Sequence, residues 1–224
     1  GNPALKRTKI TNTDLRYELY QSAGKLFTVG VFYKNFENPI ESIFNEGSGG
    51  ASLFSFQNVS KATAFGFEIE GRKKLTPRFT LQANGSYINS KTKDAALNVD
   101  RPLQGQSPYL INTGLLYDVV EKGFNMTVLF NQVGKRIYLV GDLQAGAATP
   151  DVFENPRALV DFQISKKFAE NKAEIRFTIS DILNQRQIFY QNNNSNSDYS
   201  AGSDAIRFSR KFGTTFGVTL NYSL

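Results

Sequence analysis

The chain has 224 residues, and its 26 lysines and arginines outweigh its 20 aspartates and glutamates to give a formal net charge of +6. It contains no cysteine and no histidine, which excludes disulfide scaffolds and thiol catalysis and removes the commonest general base and metal ligand. The basic residues are scattered, which argues against nucleic-acid binding. No apolar run approaches the ~18 residues of a transmembrane helix, and no N-terminal signal peptide is visible.

Apolar residues alternate with polar ones along many segments. In the first, Phe27, Val29 and Val31 are separated by Thr28 and Gly30. A period of two places each apolar set on one face of a strand. We predict about nine strands, several of them longer than the ~9–11 residues that cross a membrane when tilted. In chain order, the clearest segments are 27–33, 65–70, 79–87, 124–131, 160–165, 174–179 and 215–224.

The connections between these segments alternate in length. Short turns are predicted at 22–25, 76–77, 121–123 and 169–172, and long polar loops at 46–52, 91–106, 141–156 and 185–204. Outer-membrane barrels have short periplasmic turns and long extracellular loops. The pattern therefore predicts an all-β protein, an antiparallel transmembrane β-barrel, with the C-terminus in the periplasm.

Short motifs along nearly the whole chain resemble those of TonB-dependent receptors, particularly those of the Bacteroidota. They are GNPALK (1–6), DLRYE (14–18), VFYKN (31–35), NPIE (38–41), AFGFE (64–68), QSPYLIN (106–112) and DILN (181–184). The last strand also resembles the insertion signal that the barrel-assembly machinery reads, although this chain ends in Leu224 where the family more often ends in Phe. The residues of that signal are Thr215, Gly217, Leu220 and Tyr222.

The resemblance implies a plugged barrel of roughly 22 strands. Nine strands alone would close badly, because the first and last would run parallel. We therefore expect residues 1–224 to be a partial receptor barrel, about nine C-terminal strands of a larger one. The plug, the TonB box and the N-terminal strands are absent from this chain, and a signal peptide has been removed or lies outside it.

The function implied by the resemblance is TonB-dependent active uptake of a nutrient across the outer membrane of a Gram-negative bacterium. The ligand is left open among iron chelates, cobalamin, glycans and peptides. The expected partners are outer-membrane lipids and lipopolysaccharide, the rest of the barrel with its plug, TonB through the missing N-terminal part, and a surface lipoprotein if the ligand is a glycan. We expect no enzyme activity, cofactor or metal.

Alternation assigns side chains to the barrel lumen and the loops. The residues expected to face the lumen and the plug are Glu68, Glu70, Gln82, Asn84, Asp118, Asp161, Glu174 and Arg176. The aromatic residues proposed as ligand contacts in the long loops are Tyr138, Phe153, Phe189, Tyr190 and Tyr199.

Other interpretations remain open or are weaker. Glu68 and Glu70 could perform acid–base chemistry as a carboxylate pair, but Arg16 or Arg176 could neutralise them. The glycine-rich residues 46–50 lack the Lys-Ser/Thr of a phosphate loop. The Asn/Ser run at 192–197 could offer amides to a sugar or be a solvated loop. At the level of the whole protein, the alternatives are a structural subunit of an outer-membrane assembly or secretion complex, a passive porin, and a soluble all-β domain.

Overall fold

The computed structural model describes residues 2–22, 24–46, 52–94, 99–141, 149–192 and 198–223. Sixteen strands account for most of these residues, and the described part of the chain also contains the short 3-10 turn Val120–Lys122. No helix in this part of the chain is long and apolar enough to cross a membrane.

Nine of the described strands form one antiparallel sheet, which we call the wall. Its spatial order is β1-β2-β5-β6-β8-β9-β12-β13-β16, and the short strand β7 (Val99–Arg101) pairs with β6 beside this path. The wall strands are β1 (Lys9–Ser22), β2 (Lys25–Glu37), β5 (Lys61–Lys74), β6 (Phe79–Asp94), β8 (Tyr109–Val119), β9 (Phe124–Val133), β12 (Arg157–Phe168), β13 (Ala173–Ser180) and β16 (Thr215–Tyr222).

The wall confirms the predicted strands and the predicted alternation of turn lengths. The pairs β1–β2, β5–β6, β8–β9 and β12–β13 are joined by short turns at one edge of the sheet, which we call the short-turn edge. The other connections are long and lie at the opposite, long-loop edge. Among the described residues β1 pairs only with β2, and β16 pairs only with β13, so the sheet does not close into a barrel.

Period-two alternation gives the wall one apolar and one polar face. On the apolar face, Tyr87 pairs with Tyr109 toward the long-loop edge, and Phe79 pairs with Tyr117 toward the short-turn edge. These two aromatic rows are eight residues apart along β6 (87 − 79 = 8), which is about 27 Å of strand. At a tilt of about 40° this spans about 20 Å, close to the ~25 Å apolar band that aromatic girdles flank in outer-membrane barrels.

The long connections fold into a second sheet of six described strands, which we call the loop sheet. Its order is β15-β14-β11-β10-β3-β4, antiparallel except for the parallel pair β3–β10. Each hairpin of this sheet continues a wall hairpin beyond the long-loop edge. The strands are β3 (Ile40–Glu46), β4 (Ser52–Asn58), β10 (Arg136–Gly141), β11 (Val152–Glu154), β14 (Gln187–Gln191) and β15 (Ala205–Arg210).

The observed strands correct three of the loop predictions. The ranges 141–156 and 185–204 contain β11 and β14, and the range 91–106 contains the end of β6 and all of β7. Strands β7, β11 and β14 are three to five residues long, too short for their alternation to show within polar sequence. The tip of the 46–52 loop and most of the 192–197 run lie outside the described residues.

The buried apolar core lies in the loop sheet rather than in the wall. Phe44, Val152 and Phe189 pack together there, with Leu139 and Phe208 against them. In the wall, by contrast, many side chains of the apolar face are exposed, such as Phe67 and Val218, and others, such as Met126, are half-buried. The wall therefore offers its apolar face to a non-aqueous environment, whereas the loop sheet is stabilised by its own core.

Candidate functional site

All eight residues predicted to face the lumen lie on the polar face of the wall. Register pairs Glu70 with Asn84, Asn84 with Asn112, and Asn112 with Asn131, so the polar positions continue from strand to strand. Parity along each strand places the other predicted residues on the same face. They are Glu68, Gln82, Asp118, Asp161, Glu174 and Arg176.

Asparagine side chains form a hydrogen-bonded ladder across this face. The Asn112 amide donates to Asn84 Oδ1 at 2.7 Å, and the Asn131 amide donates to Asn112 Oδ1. These three side chains and Asp161 line one cavity on the polar face. Each amide in such a ladder keeps donor or acceptor capacity that can bind a polar group in front of the sheet.

Several charged residues of the polar face are paired locally. Arg16 Nε lies 2.8 Å from Glu18, and its Nη2 lies 3.8 Å from Glu70, so Arg16 supplies the positive charge expected near the glutamate pair. Arg176 instead contacts Glu174 at 3.1 Å on its own strand. Glu18, Glu70 and Glu174 therefore have arginine neighbours, as expected for a structural rather than an acid–base role.

The DILN segment forms a corner where the chain leaves β13. Asp181 has a φ of 54° and receives the Arg157 guanidinium at 2.9 Å on its carboxylate. Its backbone N–H donates to Asp161 Oδ1 at 2.8 Å, and its carbonyl accepts the Thr214 hydroxyl at 2.9 Å. Asn184 closes the turn by donating its N–H to Asp181. This corner fixes the start of the connection that carries β14 and β15, and it occupies one oxygen of Asp161.

An ion cluster that the sequence did not reveal lies between three of the long connections. Arg101, the last residue of β7, donates to both carboxylate oxygens of Glu41 on β3, at 2.9 and 2.6 Å. Glu41 is 1% exposed. Arg101 Nε also lies 3.8 Å from Asp151, just before β11. Burial raises the pKa of the Asp151 carboxyl, and the Gly141 N–H and the Arg101 charge oppose that rise.

The side chain of Gln104 fills the gap between β3 and β10. These strands pair directly at only two positions, Val140 with Ile43 and Gly141 with Phe44. At residues that precede these pairs on each strand, the Gln104 amide bridges the gap. It accepts from the Ser42 N–H at 2.7 Å and donates to the Ser42 and Tyr138 carbonyls at 2.9 and 3.0 Å. Gln104 thus replaces backbone hydrogen bonds that the parallel pair lacks.

The five aromatic residues predicted to contact ligand all lie in or beside the loop sheet, but not all are accessible. Phe189 and Tyr190 are buried. Tyr138 is 38% exposed and packs on Phe189 with centroids 4.6 Å apart. Phe153 and Tyr199 are half-buried, and the ring of each packs on the ring of Tyr190, with centroids 5.9 and 5.1 Å apart. Their role as ligand contacts remains a prediction.

Tyr190 is buried without a hydrogen-bond partner for its hydroxyl among the described residues. Burial raises the pKa of Tyr190 to about 12, and the charges of Asp204 and Asp198 add to the rise. Burial also lowers the pKa of nearby Lys135, and the charges of the same two aspartates oppose this lowering. The phenol therefore stays neutral and acts as a large apolar filler of the loop sheet.

The opening motif lies along the outer edge of β4. The Asn2 amide donates to the Phe56 carbonyl at 2.8 Å. Asn58 accepts from the Lys6 N–H at 2.6 Å and donates to the Lys6 carbonyl at 3.0 Å. The segment thus covers part of an exposed strand edge, which would otherwise be a template for aggregation.

The predicted insertion signal lies on β16, at the free edge of the wall. Thr215 and Gly217 are on its polar face, whereas Leu220 and Tyr222 are on its apolar face and are exposed. This arrangement agrees with the alternation on which the prediction was based. Recognition of the strand by an assembly machinery remains a prediction.

Comparisons with solved structures show the same fold. A point mutant of the ferric enterobactin receptor PfeA from Pseudomonas aeruginosa is 18% identical with a TM-score of 0.67, over 100% of this chain and 32% of its own. The copper transporter OprC is 15% identical with a TM-score of 0.70, over 99% of this chain and 33% of the transporter's chain. The ferric yersiniabactin uptake receptor FyuA from Yersinia pestis is 16% identical with a TM-score of 0.65, over 96% of this chain and 30% of the receptor's chain.

The chain therefore spans about a third of the length of each of these proteins. No protein of curated function matches it in sequence. A family model described as "Outer membrane protein beta-barrel family" matches residues 1–222. This match covers almost the whole chain and agrees with the open antiparallel wall and its exposed apolar face. The chain belongs to the outer membrane protein β-barrel family.

Proposed function

We propose that this chain supplies nine wall strands and part of the loop rim of a larger, plugged barrel for TonB-dependent uptake in a Gram-negative outer membrane. The observation that carries the proposal is the likeness of almost the whole chain to about a third of the chain of the copper transporter OprC, at a TM-score of 0.70. Both edges of the described wall are unpaired, which suits a segment that continues into further strands. Those strands and the plug would belong to the same receptor.

The proposed orientation places the short-turn edge in the periplasm and the loop sheet outside the cell. Outer-membrane barrels have short periplasmic turns and longer extracellular loops. The apolar face would contact lipid and, toward the cell surface, lipopolysaccharide. The polar face would line the lumen, where the amide ladder and the neighbouring charged residues would contact the plug.

In the proposed mechanism, the loop sheet and the plug bind the ligand on the extracellular side. Energy transmitted by TonB to the N-terminal part of the receptor would then rearrange the plug and open a path along the polar face. The ion cluster around Arg101 would hold three loops in one arrangement, so that less conformational entropy is lost when ligand binds. Tyr138, Phe153 and Tyr199 are the predicted aromatic contacts with accessible surface in this arrangement.

The ligand class stays open among iron chelates, cobalamin, glycans and peptides. The ferric siderophore and copper proteins named above share the fold at identities that carry no information on the ligand. A glycan ligand would imply a surface lipoprotein as a further partner. The resemblance to Bacteroidota receptors in the sequence motifs makes that arrangement part of the proposal.

The experiment that tests this function measures binding of full-length protein in lipid nanodiscs to the periplasmic domain of its own host's TonB, by calorimetry. We expect saturable binding that is lost when the TonB box is deleted. In the host, deleting the gene should abolish energy-dependent uptake of one probe among ⁵⁵Fe-enterobactin, ⁵⁷Co-cyanocobalamin and labelled oligosaccharides or peptides.

The alternative, a structural subunit of an outer-membrane assembly or secretion complex, predicts a different result. The protein would not bind TonB, and it would co-purify with other membrane subunits in fixed stoichiometry. That combination would contradict the uptake function and leave the barrel fold unaffected.

A further inference from the structure

An open cavity at the short-turn edge of the sheet is lined by three cationic side chains and by aromatic rings. Arg78, Lys122 and Lys166 line it together with the side chains of Tyr117, Val119 and Phe124. It lies where the β5–β6 turn, the β8–β9 turn and β12 meet. Its volume of about 290 Å³ is roughly ten times the ~30 Å³ that one water occupies in the liquid, so it accommodates a polyatomic group.

The cations of this cavity are uncompensated by the described part of the chain. No carboxylate there lies within 4.0 Å of Arg78, Lys122 or Lys166. The Lys166 ammonium donates to the Lys122 carbonyl, which brings β12 and the β8–β9 turn together. Three positive charges held close together without a counter-ion favour an anionic ligand.

The backbone around the cavity is fixed. The Lys167 N–H donates to the Gly123 carbonyl at 2.7 Å, and the Asp118 N–H donates to the Arg78 carbonyl at 2.8 Å. Gly123 has a φ of 57°, and a Cβ there would lie 2.9 Å from Lys167 Cβ. The glycine thus permits the close approach that positions Lys122 and Lys166 in the same cavity.

The cavity opens on the apolar face of the wall. Val119 pairs with Phe124, and Phe124 pairs with Lys166, so these side chains share that face. The Tyr117 ring packs between Phe79 and Phe124, with centroids 4.6 and 6.1 Å apart. A ligand of this cavity therefore meets cations at the rim and an apolar surface directly beside them, which requires an anionic head joined to an apolar body.

We propose that this cavity binds the phosphate group of an anionic glycerophospholipid, such as phosphatidylglycerol, whose acyl chains lie along the apolar face. In the proposed orientation the short-turn edge meets the periplasmic leaflet, which consists of phospholipids. The proposal rests on the membrane placement of the wall and its orientation but is independent of transport or TonB. Its test therefore distinguishes its failure from failure of the uptake function.

The test uses native mass spectrometry of the full-length protein in detergent, titrated with phosphatidylglycerol or phosphatidylcholine. The combined variant Arg78→Gln, Lys122→Gln and Lys166→Gln should lose phosphatidylglycerol affinity by about fivefold for each cation, on the order of a hundredfold in all. The matched control is Lys25→Gln, Lys73→Gln and Lys172→Gln. It removes three charges from the same edge outside the cavity and should change the affinity less than about twofold.

Further arms identify the source of the anion and separate charge from folding. The variant Arg78→Lys, Lys122→Arg and Lys166→Arg should retain binding. Inorganic phosphate should not displace the lipid, because it lacks the apolar body. Equal losses in both triple variants, no preference for phosphatidylglycerol over phosphatidylcholine, displacement by phosphate, or stronger binding of lipid A would each overturn the proposal.

Discussion

The Arg101 guanidinium donates two hydrogen bonds, of 2.9 and 2.6 Å, to the buried carboxylate of Glu41, which lies 60 residues earlier in the sequence. Removing one partner of a buried ion pair leaves an uncompensated charge and costs about 3–5 kcal/mol. We expect Arg101→Met to destabilise the loop sheet by that amount and to leave the wall folded. Hydrogen exchange of peptides from β3, β10 and the wall strands measures the two regions separately.

The control for that change is an exposed ion pair on the same connection. Lys91 and Asp100 lie 3.1 Å apart with both side chains about half exposed or more, and such surface pairs contribute about 0–1 kcal/mol. Lys91→Met should therefore leave exchange in β3 and β10 nearly unchanged. Similar protection losses for Lys91→Met and Arg101→Met would contradict the role given to the buried pair.

The loop sheet should lose stability as the pH rises, through Asp151. Its folded pKa is raised by burial. Its contribution to stability is thus fully present below the pKa of unfolded aspartate, about 3.9, and is lost as the pH rises through the folded pKa. Asp151 is therefore the group whose titration a substitution should remove.

Asp151→Asn removes this titration while keeping an acceptor for the Gly141 N–H. The stability of β10 and β11 in this variant, relative to the natural protein, should increase between about pH 4 and about pH 7. Hydrogen exchange corrected for its intrinsic pH dependence gives this difference. A relative stability that falls with pH would show that pairing with Arg101 outweighs burial at Asp151.

Tyr190 should tolerate loss of its hydroxyl but not of its ring. The buried hydroxyl has no partner in the described residues, so Tyr190→Phe removes an unsatisfied polar group and should be neutral or stabilising. Tyr190→Ala should cost about 3–5 kcal/mol by leaving a cavity. Urea unfolding followed by near-ultraviolet circular dichroism measures both, and a loss of more than about 1 kcal/mol in Tyr190→Phe would reveal a missing hydrogen bond.

Gly66 allows the Phe32 ring to cover β5 on the polar face. A Cβ at Gly66 would lie 2.6 Å from Phe32 Cζ and 2.7 Å from the Tyr87 carbonyl oxygen, whereas a Cβ at Gly71 on the same strand meets nothing within 4 Å. Gly66→Ala should therefore destabilise the wall by about 1–3 kcal/mol, and Gly71→Ala should not. Equal urea midpoints for the two variants in lipid vesicles would argue against this close packing.

The wall could be predicted from the sequence because its signals are local. Alternation over Phe27–Val29–Val31 and the turn residues near Gly123 are contained within a few positions each. The loop sheet could not, because its information is non-local. Glu41, Arg101 and Gln104 look like ordinary loop polar residues until the fold brings their three connections together.

The predicted residues of the polar face followed from the same local rule, since parity alone fixes the side of a strand. The loop aromatics did not, because sequence distinguishes a buried Phe189 from an accessible Tyr138 only through the neighbours that each acquires. The corner role of Asp181 was likewise visible only as a motif, without its bonds to Arg157 and Thr214.

We expect the apolar face of the wall to contact lipid and the polar face to be shielded from it. Because the chain lacks cysteine, Phe67→Cys and Glu68→Cys, adjacent on β5 but on opposite faces, can each carry one fluorophore in full-length protein reconstituted with brominated lipid. We expect strong quenching at position 67 and weak quenching at position 68. Equal quenching at both positions, or the reverse order, would contradict it.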